Sequence, residues 1–80
     1  SSDDDGDDDP MLMPAIEFVV ESRQASTSML QRKLKLGYAR AARIMDTMAD
    51  MGVIGPYNGA KPREVLITME QWLEKKASEE

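Results

Sequence analysis

Eighty residues make one small domain with a thin core, and the lack of cysteine rules out disulfides and thiolate metal sites. Histidine is missing too, which removes the commonest general base and the commonest zinc ligand. A formal net charge of -5 would argue against nucleic acid on an evenly mixed surface, but here the acid is segregated.

The opening SSDDDGDDDP holds six aspartates and no base, whereas from Met11 onward ten bases face nine acids, a balance of +1. A like-charged run without apolar residues cannot repay its ordering entropy, so residues 1–9 read as an acidic disordered linker. No stretch is long and apolar enough to span a membrane, and no signal-peptide pattern opens the chain. The expectation is a soluble, intracellular domain of a larger protein, without membrane contact by this segment.

PAIEFVVESR places Ile16, Val19 and Val20 on one helical face with Glu17 and Glu21 opposite, and Pro14 sets the start near Leu12 to Pro14. ASTS then suits a bridge of strand and a helix cap, with Ser28 and Gln31 spaced as a capping box. In MLQRKLK, Met29, Leu30 and Leu34 face inward while Gln31, Arg32, Lys33 and Lys35 stay wet. Gly37 is expected to supply the permissive backbone of a tight turn. A third helix follows from about Tyr38 to Met51, closed by Gly52 as a left-handed cap. Val53-Ile54 and Val65-Leu66-Ile67 read as two strands around the turn-rich GPYNGAKP. Thr68 and Gln71 form a second capping box, opening a last helix with Met69, Trp72, Leu73 and Lys76 on one side.

This order predicts an α+β fold, a small winged helix-turn-helix domain with a three-helix core, a two-stranded wing and an additional C-terminal helix. The winged helix is expected over residues 10–68, with helix and tail over residues 69–80.

From Arg23, six successive charged residues are basic (Arg23, Arg32, Lys33, Lys35, Arg40, Arg43) before Asp46 supplies an acid. On the third helix Asp46, Ala39, Asp50, Arg43, Thr47 and Arg40 fall within about a third of the circle, with apolar residues around the rest. Such a stripe fits entry into the major groove of double-stranded DNA, where arginine pairs bidentately with guanine. Arg32, Lys33 and Lys35 would then meet phosphates, and Lys61 and Arg63 an adjacent backbone or the minor groove. Tyr57 and Asn58 at the loop tip are weaker candidates. A bland reading stands beside this one: Arg43 with Asp46 as a surface ion pair, and the basic run as a solvated face. Met45, Met48 and Met51 read as core filling. Catalysis is not expected, because GPYNGAKP lacks phosphate-loop spacing and Glu64 and Glu70 have no partner base. The aspartate run likewise lacks the spacing of a calcium loop.

The stretches SMLQRKLKLGYARAARIMD, MGVIGP and KPREVLI, within Asp9 to Ile67, resemble the C-terminal gamma domain of the FtsK/SpoIIIE DNA translocases. The resemblance implies a non-catalytic winged helix that binds short, asymmetric, guanine-rich chromosomal motifs. These motifs orient an attached hexameric ATP-driven motor during chromosome segregation at division or sporulation. It implies no cofactor in this domain, with ATP and Mg used in the absent motor. The implied partners are double-stranded DNA, the motor domain of the same chain and, in FtsK-type members, the XerD recombinase. The domain would be a monomer alone, in several copies on the parent, at the cytoplasmic face of a membrane-anchored bacterial protein. By the resemblance Arg43 matches a base-reading arginine. Ala39 departs from an asparagine common in GYNRAAR, whether natural or a deliberate substitution, and this removes adenine-type readout there. Asp46 stands where a longer glutamate is common, and Pro14 where an acid is usual. The other readings are a transcription regulator, which would bind palindromes as a dimer, and a protein-interaction winged helix.

Overall fold

The computed structural model describes residues 9–57, 59 and 61–78; the rest of the acidic opening, Asn58, Ala60 and the last two residues lie outside it. Four helices follow in order: α1 Leu12–Ser22, α2 Thr27–Leu34, α3 Tyr38–Asp50 and α4 Met69–Ser78. None is long and apolar enough to cross a membrane.

In α1 the apolar residues recur at i, i+3, i+4, i+7 and i+8, and Leu12, Ala15, Ile16, Val19 and Val20 are all buried. Pro14 is tolerated because it sits in the first turn, where its missing N–H would have had no helical partner. Two of the free amides there are satisfied by Asp9: its Oδ1 accepts the Met11 N–H at 2.9 Å and its carbonyl that of Leu12 at 2.9 Å. Asp9, grouped with the linker on composition, is therefore engaged by the fold. At the far end Arg23 turns left-handed, and its Nη1 donates to the Ile67 carbonyl at 2.6 Å.

The expected Ser28–Gln31 capping box does not form, because α2 begins earlier, after Ser26. Ala25 accepts the Arg63 N–H at 2.8 Å, and the chain passes directly from that bridge into the helix. The turn into α3 also differs from expectation. Gly37 is ordinary extended backbone (φ -71, ψ 162), and Lys35 is the left-handed residue (φ 58). The reason lies in the end of α2: the Leu36 N–H reaches back to the Gln31 carbonyl at 3.1 Å while Leu36 enters the core. That closure requires the reversal at the residue before Leu36, whatever its side chain.

Helix α3 buries Ala41, Ile44, Met45 and Met48 and packs on α2 and α1. Thr47, expected on the exposed stripe, is buried, its hydroxyl donating to the Arg43 carbonyl at 3.0 Å. Gly52 ends the helix as expected. At φ 83 it lets its own N–H bond the Ala49 carbonyl at 3.1 Å and that of Val53 bond Met48 at 2.9 Å. Gly52→Ala should therefore lower stability by about 1–2 kcal/mol, read as a lower urea midpoint with an unchanged slope; an unchanged midpoint would refute the strain.

The two expected strands are not formed among the described residues. In their place stand two isolated antiparallel bridges, Ile54 with Val65 and Ala25 with Arg63. The Gly55 N–H donates to Glu64 and the Leu66 N–H to Val53, both at 2.8 Å. Continuing that ladder past Leu66 would need the Val53 N–H, which is already bonded to the Met48 carbonyl at the end of α3, so the pairing stops there. Val53, Ile54 and Val65 are nevertheless buried against the helices.

Before α4 the Thr68–Gln71 capping box forms in both directions, Thr68 N–H to Gln71 Oε1 at 2.9 Å and Gln71 N–H to Thr68 Oγ1 at 3.1 Å. Helix α4 packs on α1 through Trp72, which is 2 % exposed, and through an ion pair of Lys76 with Glu17 at 3.1 Å. Leu73, on the same side of the helix by the sequence pattern, is half exposed at the edge of this contact.

Candidate nucleic-acid interface

The candidate cations divide into those the protein uses itself and those it leaves outward. Arg40 belongs to the first group. Its Nε and Nη2 donate to Asp9 Oδ2 and Oδ1 at 2.8 and 2.7 Å, a bidentate fork across 31 positions. The Arg40 side chain is 42 % exposed, and that of Asp9 only 13 %. Arg63 is engaged too. Its side chain is 12 % exposed, with Nη2 3.5 Å from Asp46 Oδ1 and the guanidinium 5.9 Å from the centre of the Tyr57 ring. Arg40 is therefore not the unpaired charge that the spacing of acids suggested, and Arg63 is not free for the backbone or minor-groove contact expected of it. Asp46 is committed to Arg63 and not to Arg43, so the local Arg43–Asp46 pair is not formed.

The second group is on α2, α3 and the long loop. Arg43 is exposed in the middle of α3, one turn after the exposed Ala39, and makes no ion pair among the described residues. Its place follows from the helix itself: Ala41, Ile44, Met45 and Met48 turn the opposite side into the core. Arg32, Lys33 and Lys35 are exposed along the end of α2, and Lys61 is exposed on the loop. Lys33 holds its ammonium 5.7 Å from the centre of the Phe18 ring, a weak attraction at an exposed site. Tyr57 is exposed beside Arg63, and Asn58 lies outside the described residues. The outward set is thus cationic and centred on a helix with a small residue one turn before its arginine. Such a face accepts phosphate oxygens and leaves room for close approach of a base edge.

Asp9, which local pattern offers only as a helix cap ahead of Pro10, is the partner that the spacing of acids and bases along α3 does not reveal. The hydrogen bonds from Arg40, assisted by the Met11 amide and the nearby charges of Arg40 and Arg43, hold its carboxyl below the ordinary 3.8 against the opposing effect of burial. Arg40 is raised above its ordinary value by the same pair. A depressed carboxyl stabilises the fold above its unfolded-state value, and that contribution disappears as pH falls through the folded-state value. Stability should therefore drop as pH is lowered below about 4, and Asp9→Asn should flatten this part of the acid response. Parallel thermal melts of the two proteins across acid pH measure it, and identical pH profiles would refute it.

Residues 6–68 match the family model described as the FtsK gamma domain. The chain is 57 % identical over 63 residues to DNA translocase FtsK of Tropheryma whipplei, covering 79 % of this chain and 8 % of that protein. It is 62 % identical over 60 residues to DNA translocase FtsK of Borreliella burgdorferi, covering 75 % and 8 %. To DNA translocase SpoIIIE of Bacillus subtilis it is 50 % identical over 64 residues, covering 80 % and 8 %. The chain spans about a twelfth of the length of these relatives. With most of its length matched by the family model, and with the residues of α2, α3 and the following loop inside that match, the chain belongs to the FtsK gamma domain family.

Proposed function

We propose that this domain binds double-stranded DNA in a sequence-dependent way, reading short asymmetric guanine-rich motifs and so orienting an ATP-driven translocase to which it is attached. The observation that carries the reading is the exposed Arg43 at mid-helix, without an ion-pair partner among the described residues and one turn from Ala39. An arginine in that setting can place two N–H groups on guanine O6 and N7. Arg32, Lys33 and Lys35 hold phosphates and set the register, and Lys61 touches an adjacent backbone. The segment from Val53 to Leu66 serves as the wing of a winged helix, its pairing confined to the bridge of Ile54 with Val65.

The names of the relatives as DNA translocases support the same direction. ATP and Mg act in the motor, outside this chain, and this domain contributes no catalytic group. A single small domain with few base contacts binds modestly, and several copies on one motor gain from effective concentration. A head-to-tail arrangement on an asymmetric site gives direction, which a two-fold dimer cannot. Contact with a recombinase of the XerD kind and placement at the cytoplasmic face of a membrane-anchored parent belong to the same reading. The test is selection of bound duplexes in vitro, followed by titration of the selected motif and its scrambled version at matched salt. Tighter binding of the motif supports sequence reading; equal binding removes it.

A further inference from the structure

The Asp9–Arg40 fork lies at the N-terminal end of the helix that carries Arg43, on the side that the proposed function turns toward DNA. We infer that Asp9 is a positioning residue that withdraws Arg40 from the phosphate backbone, leaving the domain one sequence-independent DNA contact short of what its basic residues would otherwise make. This rests on the DNA-binding reading.

Three observations carry it. Asp9 occupies the Nε–Nη2 edge of the Arg40 guanidinium, at 2.8 and 2.7 Å, which is one of the edges that could grip a phosphate, and its carboxylate offsets the charge that would attract one. Asp9 is itself held in place: its carbonyl accepts the Leu12 N–H and its Oδ1 the Met11 N–H, both at 2.9 Å. A partner already ordered by the fold loses little freedom in pairing, whereas a phosphate arriving from solution must displace it. Thirdly, Asp9 is largely covered and its carboxyl is held ionised by Arg40, so it remains an anionic competitor at neutral pH. The consequence is selective. Arg43, three residues further along α3, makes no ion pair among the described residues while Arg40 does, so general attraction to the duplex falls and the base-reading guanidinium stays without a hydrogen-bonded acid. A domain that must leave non-motif DNA readily gains from that.

The experiment uses the 80-residue chain and the variants Asp9→Asn, Asp9→Ala, Arg40→Ala and Asp9→Ala/Arg40→Ala. Each is titrated against a generic 20-base-pair duplex between about 50 and 200 mM salt, where affinity falls by about 0.9 log units per log unit of salt for every phosphate neutralised. Thermal melts establish that each variant is folded at the temperature used, and the asparagine keeps an oxygen for the Met11 amide. Releasing Arg40 should make the single Asp9 variants bind more tightly, with a salt slope steeper by about 0.9. Their advantage should shrink roughly threefold from 50 to 200 mM. Arg40→Ala alone and the double variant should keep the slope of the unaltered chain. A shallower slope for Arg40→Ala would mean that Arg40 already holds a phosphate, and would overturn the inference. So would an unchanged slope in both single Asp9 variants, which a purely structural staple predicts. If the unaltered chain binds no duplex even at 50 mM, the DNA-binding reading itself fails, an outcome distinct from these.

Discussion

Arg43→Ala is expected to weaken binding to a selected cognate duplex by about 1–3 kcal/mol, roughly 10- to 100-fold, and to relax base preference at one position. The expectation comes from geometry: the side chain is exposed at mid-helix, Ala39 clears space one turn away, and no carboxylate among the described residues holds it. Lys33→Ala provides the contrast. Its ammonium is exposed and leans on the Phe18 ring, an attraction weak enough to give way to a phosphate. Its loss should weaken all sequences alike and make the salt slope shallower by about 1. Titrating both variants against a motif and a scrambled duplex over a range of salt separates the two roles. Matching losses and matching slopes would mean that base reading and phosphate holding have been assigned wrongly.

The second large effect concerns the fold. Trp72→Ala should destabilise the chain by about 3–5 kcal/mol, because a large buried ring is removed from the α1–α4 contact. Small domains have little stability to lose, on a scale where 5–15 kcal/mol is typical, so a measurable unfolded fraction is expected at room temperature. Trp72→Phe makes a useful comparison. It keeps most of the burial and discards an indole N–H that is buried without a hydrogen-bond partner among the described residues, so its loss should be much smaller. Urea unfolding followed by circular dichroism reads both. A shift below about 1 kcal/mol for the alanine variant would show that α4 contributes little to the body.

What the sequence made legible was local. Apolar spacing marked α1 and α3 because a helix repeats every 3.6 residues and the core must take one face. Gly52 and the Thr68–Gln71 pair marked helix ends because capping chemistry is confined to a few neighbouring positions. The turn after α2 was misassigned to Gly37 since glycine is the usual sign of left-handed backbone. The burial of Leu36 fixed the reversal one residue before it, at a lysine. The wing differs for a related reason: Val65, Leu66 and Ile67 favour extended backbone, but a ladder needs donors, and the Val53 N–H is taken by the Met48 carbonyl in closing α3.

The candidate interface was half legible. Exposure of Arg43, Arg32, Lys33 and Lys35 followed from helical periodicity. The engagement of Arg40 and Arg63 did not, since their acids come from other elements and no rule of i+3 or i+4 spacing reaches them. Asp9 carried the one usable hint, an acid three residues ahead of the first helix and in reach of its free amides, although its composition groups it with the run preceding it.

The bridge between Ala25 and Arg63 has a kinetic consequence. Joining those positions closes a long stretch of chain, and such closure is paid for in entropy before it returns any contact. The α2–α3 pair, by contrast, meets across a short turn and can assemble early. Arg63→Ala keeps that backbone bridge but removes the side chain's contacts with Asp46 and Tyr57 that help hold the loop in place, and should leave the refolding limb of a chevron plot nearly unchanged while raising the unfolding limb. A slowed refolding limb would instead put the docking of this loop in the nucleus.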